Sequence, residues 1–214
     1  MRAGAVVLAG GRSSRMGQPK ALLDWYGVTA VEHAVAVARE GIGGGPVCVV
    51  RAPGQELPPL DAVVADDAVA YDGPLAALYT GLVTLAGEAD VAFACGVDTP
   101  LLAPAFVRAV LRTLHKGDDA VVPLIGGRPQ PLLAAYRVRL APRLRALLDD
   151  GAFGLRDIPR SSAVRQVGEW ELISDAELDA ADPRLSSATN VNTPEEWEAL
   201  LSEARRPAEA ERPR

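Results

Sequence analysis

Residues Leu8-Ala9-Gly10-Gly11-Arg12-Ser13-Ser14-Arg15-Met16-Gly17-Gln18-Pro19-Lys20 follow directly on the apolar run Ala5-Val6-Val7. A buried strand that empties into a glycine-rich, doubly basic loop can turn backbone N–H groups toward an anion. Arg15 and Lys20 add mobile positive charge where a phosphate chain would lie. No Gly-Lys-Ser/Thr triplet closes this loop and it holds no G-x-G-x-x-G, so two common phosphate-binding patterns fail. The segment predicts a phosphorylated ligand held by a third type of loop.

Four other segments carry polar residues that could act on such a ligand. Asp98, in Asp98-Thr99-Pro100, either binds Mg2+ together with substrate phosphates and water or caps the helix after Pro100. Asp66 and Asp67 either reach a ribose or the metal site or form a solvated turn. Gly73-Pro74 opens a helix whose N-terminus favours an anion. Asn190 and Asn192 project to one side if their backbone is extended, with capping by Asn192 or Thr193 as the plainer role. Neither His33 nor His115 accompanies a Ser or Cys nucleophile, which leaves no candidate general base. A phosphate monoester, with a second pKa of about 6, is mostly dianionic at neutral pH and can attack without one. Alignment and charge neutralisation are then what the protein must supply.

The elements that must position these residues alternate along the chain. Strands are expected at Gly4–Leu8, Pro46–Val50, Ala62–Ala65, Val91–Cys95 and Ala120–Pro123. A further pair, Gln130–Tyr136 and Ala163–Val167, is read as antiparallel or peripheral. Helices are expected at Ala30–Arg39, Leu75–Ala86, Pro104–Leu114, Val138–Leu148 and Pro194–Ala204. Thr29 and Thr193 carry capping signals, with Pro194 at a first helical position. The pattern predicts an α/β fold with a mostly parallel sheet covered by helices, whose ligand lies at the carboxyl ends of the strands. One domain is expected over 1–204, with a disordered tail of Pro, Glu, Arg and Ala at 205–214.

Composition narrows the class. At 214 residues, 49% hydrophobic and 23% charged, the chain resembles an ordinary soluble protein. The formal charge of −6 and the lack of a basic cluster argue against nucleic acid. No apolar run approaches the roughly 20 residues of a membrane span, and no secretory signal opens the chain, so a cytoplasmic location is expected. Cys48 and Cys95 are read as reduced, buried small hydrophobes.

Taken together, Leu8-Ala9-Gly10-Gly11, Arg15-Met16-Gly17, Lys20, Gly73-Pro74-Leu75-Ala76, Asp98-Thr99-Pro100 and Asn190-Val191-Asn192-Thr193-Pro194-Glu195-Glu196 resemble the molybdenum cofactor guanylyltransferases. The blocks keep their order over nearly the whole chain. The resemblance implies a Rossmann-like three-layer α/β/α nucleotidyltransferase of the GT-A-like type. It implies transfer of GMP from GTP to the terminal phosphate of molybdenum-bound molybdopterin, with Mg2+ as cofactor and molybdoenzyme apoproteins or chaperones as further partners. Within it, Leu8, Ala9, Gly10 and Gly11 wrap the nucleotide, Lys20 binds phosphate, Asp66 contacts the nucleotide and Asp98 holds the metal. Arg15 neutralises the leaving pyrophosphate. Gly73, Pro74, Gln130, Pro131, Asn190 and Asn192 fall on the acceptor side. Gly11 leans toward guanine, because related cytidylyltransferases tend to carry Ala there. The chain departs from the pattern at Ala77, at Ala188 and at Val50-Arg51. Two alternatives remain: the same chemistry with CTP or another phosphorylated acceptor, and a non-catalytic nucleotide or molybdopterin carrier.

Overall fold

The apolar runs become strands because their side chains alternate between two covered faces. Ala5, Val7, Val49, Phe93 and Cys95 enter one hydrophobic layer, and Val6, Cys48, Val50, Ala92 and Ala94 enter the other. A computed structural model describes residues 1–11, 16–67, 73–160 and 162–210, without the side chains of 160 and 203–210. In chain order the elements begin with β1 (Ala3–Leu8), β2 (Asp24–Trp25), β3 (Val28–Thr29), α1 (Ala30–Gly41), β4 (Val47–Arg51), β5 (Val63–Asp66), α2 (Pro74–Thr84) and β6 (Val91–Gly96). They continue with α3 (Pro104–Arg112), β7 (Ala120–Ile125), β8 (Arg128–Pro129), β9 (Leu133–Arg137) and α4 (Ala141–Asp149). The chain then forms β10 (Val164–Gly168), α5 (Glu169–Ile173), α6 (Ala176–Ala181) and α7 (Pro194–Ala210).

The sheet runs in the order β10-β7-β9-β6-β1-β4-β5, with β8 paired to β7. Strands β5, β4, β1, β6, β7 and β10 are parallel, and β9 and β8 are reversed. Helices α1 and α3 cover one face through Val31, Val35, Phe106 and Val110. Helices α2 and α4 cover the other through Leu75, Leu78, Leu82 and Leu144. This is the α/β, mostly parallel, three-layer arrangement expected from the sequence. The two segments left open by their pattern divide: β9 is antiparallel in the middle of the sheet, and β10 is parallel at its edge.

Local chemistry sets the helix boundaries. Thr29 and Glu32 form a reciprocal capping box at the start of α1. The expected helix from Val138 begins instead as a 3-10 turn, Val138–Leu140, and becomes α-helical where Pro142 can occupy its first turn. Helix α7 runs past Ala204, and residues 211–214 lie outside the described residues. Among the described residues no helix is long and apolar enough to cross a membrane.

A third, smaller apolar cluster lies apart from the two layers. It joins Met16, Leu23, Trp25 and Ala30 to Val191 and Trp197. Trp25 meets Trp197 edge-on at 5.4 Å, and Trp197 Nε1 donates to Asp24 O at 3.1 Å. The cluster therefore ties the β2–β3 hairpin to the start of α7.

Candidate functional site

A cleft of about 480 Å3 opens at the carboxyl ends of β1, β4 and β6. Leu8, Ala9, Gly10, Gly11, Lys20, Gly73, Pro74, Asp98 and Asn192 all line it. Residues far apart in sequence are thus collected at the end of the sheet where an open α/β fold binds ligands.

Strand β1 delivers the glycine loop. Ala9 N donates to Val50 O at 2.8 Å, carrying the strand pairing one residue into the loop. Gly10 then passes so close to the adjacent chain that a Cβ would lie 2.9 Å from Ala52 N. Gly11 differs, because among the described residues a Cβ there meets nothing within 4 Å.

Lys20 enters from the 3-10 turn Lys20–Leu22 and is held from two sides. Its Nζ donates to Val191 O at 2.8 Å and to Asn192 Oδ1 at 2.9 Å, and it lies 3.7 Å from Asp98 Oδ2. Val191 N donates to Asp98 O at 2.8 Å, so the Asn-Val-Asn segment, Asp98 and Lys20 form one unit. Thr193 and Glu196 cap α7 reciprocally, Glu196 N donating to Thr193 Oγ1 and Thr193 N to Glu196 Oε2. Capping thus falls to Thr193, and the Asn192 side chain turns to the lysine.

Asp98 follows β6 and does not cap a helix: the N-cap of α3 is Ala103. A Cβ on Gly96 would come within 2.5 Å of Asp98 Oδ1, so the glycine leaves the room the carboxylate occupies. Behind the loop, His33 Nε2 hydrogen-bonds Pro100 O at 2.9 Å, and its ring lies 5.6 Å from Trp25. Burial pushes the His33 pKa down, only partly opposed by the Pro100 carbonyl. His33 is a packed support for the Asp98 loop.

The opposite wall is the N-terminus of α2. Gly73 has φ +95°, and a Cβ there would strike Phe153 O at 2.5 Å, so only glycine fits. Pro74 supplies the first helical residue. Ala77 also lines the cleft, one of the departures from the family pattern.

Several expected site residues stand elsewhere. Asp66 is not in the cleft lining; its Oδ1 accepts from Arg51 Nε at 2.7 Å, and the buried neighbour Asp67 lines the cleft instead. The reason is parity: Asp67 directly follows β5 and its N donates to Arg51 O at 2.8 Å, so the extended pairing turns its side chain to the opposite face from Asp66. Gln130 and Pro131 are also outside the lining: Gln130 N donates to Pro123 O at 2.8 Å, Pro131 O accepts from Tyr136 Oη at 2.7 Å, and Leu132 faces the cleft. Asn190 is exposed and outside the lining. Arg15, with Arg12, lies outside the described residues. Met16, Val50 and Val97 complete the apolar walls. Their buried places follow from strand and loop packing, which their residue types alone do not announce.

Among the described residues no cluster of three His, Cys, Asp or Glu side chains could hold a metal. Asp98 fits a Mg2+ whose other ligands are phosphate oxygens and water, the usual arrangement at triphosphate sites. Cys48 and Cys95 are free and buried. Burial pushes the Cys95 thiol up to about 12, aided by the Asp98 charge, and burial pushes Cys48 to about 11 against a hydrogen bond with Thr84. Both stay thiols, without nucleophilic character.

Residues 5–167 match the family model of the MobA-like NTP transferase domain. A Bacillus cereus protein named probable molybdenum cofactor guanylyltransferase is 33% identical over 195 residues, covering 90% of this chain and 92% of that protein. A Mycobacterium avium protein of the same name is 35% identical over 170 residues, covering 78% and 85%. The crystal structure of molybdopterin-guanine dinucleotide biosynthesis protein A from Archaeoglobus fulgidus superposes with a TM-score of 0.73 at 20% identity, covering 95% of this chain and 99% of that one. At that identity the superposition speaks for the fold.

Proposed function

We propose that this chain, which belongs to the MobA-like NTP transferase family, transfers GMP from GTP to the terminal phosphate of molybdenum-bound molybdopterin. The observation that carries the reading is the grouping of Lys20, Asp98 and Asn192 with the Gly10-Gly11 loop and the α2 N-terminus in one cleft. An acceptor phosphate oxygen attacks the α-phosphorus of GTP in line, and pyrophosphate leaves with the electron pair of the broken P–O bond. Lys20 supplies a fixed positive charge against the phosphate chain, and the loop amides supply donors. A Mg2+ at Asp98 would offset negative charge on the phosphates. Arg15 would neutralise the departing pyrophosphate.

Pyrophosphate release with molybdopterin as acceptor, compared across GTP, CTP, ATP and UTP in the presence of Mg2+, tests this reading. Release with GTP and not the others is expected. Release with CTP instead would replace the donor. GTP binding without release in the presence of acceptor would mean a carrier and overturn the enzymatic reading.

A further inference from the structure

The turn that follows β4 places a polar side chain behind the nucleotide loop. Ala52-Pro53-Gly54-Gln55 is a type II turn: Gln55 N donates to Ala52 O at 3.0 Å, Pro53 takes the second position and Gly54 has φ +75°. The turn folds the half-buried Gln55 side chain back against the sheet end. Its Oε1 accepts from Ala52 N at 3.0 Å, and its Nε2 donates to Ala9 O at 3.1 Å. A donor faces the oxygen and an acceptor faces the nitrogen, which defines the orientation of the amide. Arg51 Nη1 donates to Gln55 O at 2.9 Å while its Nε pairs with Asp66. Asp66, Arg51, Gln55 and Ala9 are therefore linked in a row.

The Ala9–Gly10 peptide lies in the cleft wall, and the described residues contain no cis peptide. In a planar trans peptide the C=O and N–H point in opposite directions. With Ala9 O held by Gln55, the Gly10 N–H is directed away from it. The Ala52 N–H that Gln55 also holds is the group a Cβ on Gly10 would strike. One amide thus clamps the ends of β1 and β4 together at the glycine loop.

We propose that Gln55 is a positioning residue for nucleotide binding, locking the Ala9–Gly10 peptide so that the Gly10 N–H is presented to the nucleotide. The proposal rests on the nucleotide-binding reading above. Gln55 acts through the loop and is itself outside the cleft lining.

Gln55→Glu tests it with little change of shape. The carboxylate still accepts from Ala52 N but sets a second acceptor against Ala9 O. Once protonated, the carboxyl can donate to Ala9 O as the amide does. A glutamate facing a carbonyl has its pKa raised from its ordinary value of about 4.3, so lowering the pH restores the donor. GTP affinity is measured by calorimetry at pH 8 and pH 5, each value divided by that of the unchanged chain at the same pH. At pH 8, Gln55→Glu and Gln55→Ala are expected to bind GTP about tenfold more weakly, the effect of one lost or opposed half-buried hydrogen bond. At pH 5, Gln55→Glu recovers to within about threefold and Gln55→Ala does not. The KM for molybdopterin stays unchanged in both. Unchanged affinity at pH 8, an equal loss at both pH values, or an equal recovery of Gln55→Ala would overturn the proposal. If Gln55→Glu fails to fold, Gln55→Asn, too short to reach Ala9, decides: a weaker GTP affinity at constant molybdopterin KM is expected, and an unchanged affinity overturns the proposal. If the unchanged chain binds GTP but releases no pyrophosphate with molybdopterin, the proposed activity falls while Gln55 is still judged by binding. A chain that binds no GTP overturns both.

Discussion

Two aspartates sit at opposite ends of the sheet and differ in how fully their oxygens are engaged. Asp119, just before β7, accepts from Arg143, from Arg139 at 3.3 Å and from Ala163 N at 3.1 Å, and its side chain is 10% exposed. Asp98, just after β6, is 29% exposed and faces Lys20 at 3.7 Å, beyond a direct hydrogen bond. Burial would raise the Asp119 pKa, but the Ala163 N–H and the two guanidiniums outweigh it and hold the carboxyl below its ordinary value. A carboxylate with its lone pairs filled by the protein is a structural tie. One that, among the described residues, faces one cation and keeps acceptor capacity in a cleft is placed to take a ligand.

The sharpest way to break this contrast is to remove each carboxylate. Asp98→Ala is expected to lower pyrophosphate release by about a thousandfold or more. Its melting temperature should stay within about 2 °C of the unchanged chain, because few packing contacts are lost. A destabilised but active variant would reverse the roles assigned to the two ends. The cations offer the next test. Lys20→Met is expected to cost about a hundredfold in kcat/KM, whereas Arg143→Ala should leave kcat/KM within about twofold in the same assay.

Asp119→Ala should act on stability instead. Loss of its hydrogen bonds to a backbone N–H and two half-exposed arginines is expected to lower the unfolding free energy by about 1–3 kcal/mol, with turnover per folded molecule unchanged. Urea unfolding checks both numbers. The smallest effect is in pH dependence. His33 has a lowered folded pKa, so the unfolded chain takes up the proton first. Its share of stability is present above about pH 6.5 and is lost as pH falls toward the folded value. Asp119 also has a lowered folded pKa, so its share is present above about pH 4 and declines below that. Unfolding measured at pH 7.5, 5.5 and 3.5 should therefore weaken in two steps. His33→Asn should remove the first step, and Asp119→Asn should shrink the second, which Glu32, Asp90, Asp175, Glu177 and Glu195, also with lowered folded pKa values, share.

Legibility followed the range of the interactions involved. Strands β1, β4, β6 and β7 are recognisable from apolar runs because burial on both faces leaves an unbroken hydrophobic signature. The Thr29 cap is equally local, with Glu32 three residues on. Strand order is not local: nothing within Gln130–Tyr136 says that β9 inserts between β6 and β7. The two-residue strands β2 and β3 are too short for any period, and Tyr26 and Gly27, both with positive φ, make their turn. Lys20 and Asp98 could be selected by residue type and position after a strand. That Asp67 lines the cleft while Asp66 does not depends on which face of the chain leaving β5 meets it. Gln55 is the extreme case, since Pro-Gly announces the turn but its reach to Ala9 depends on β1 and β4 being neighbours.

The grip of Val191 and Asn192 on Lys20 spans 171 and 172 residues of the 214. The lysine is consequently held by a segment about 170 residues further along the chain. The basic arm of the cleft is thus fastened by a stretch outside both packed layers, one that a chain cut short before Val191 would lack.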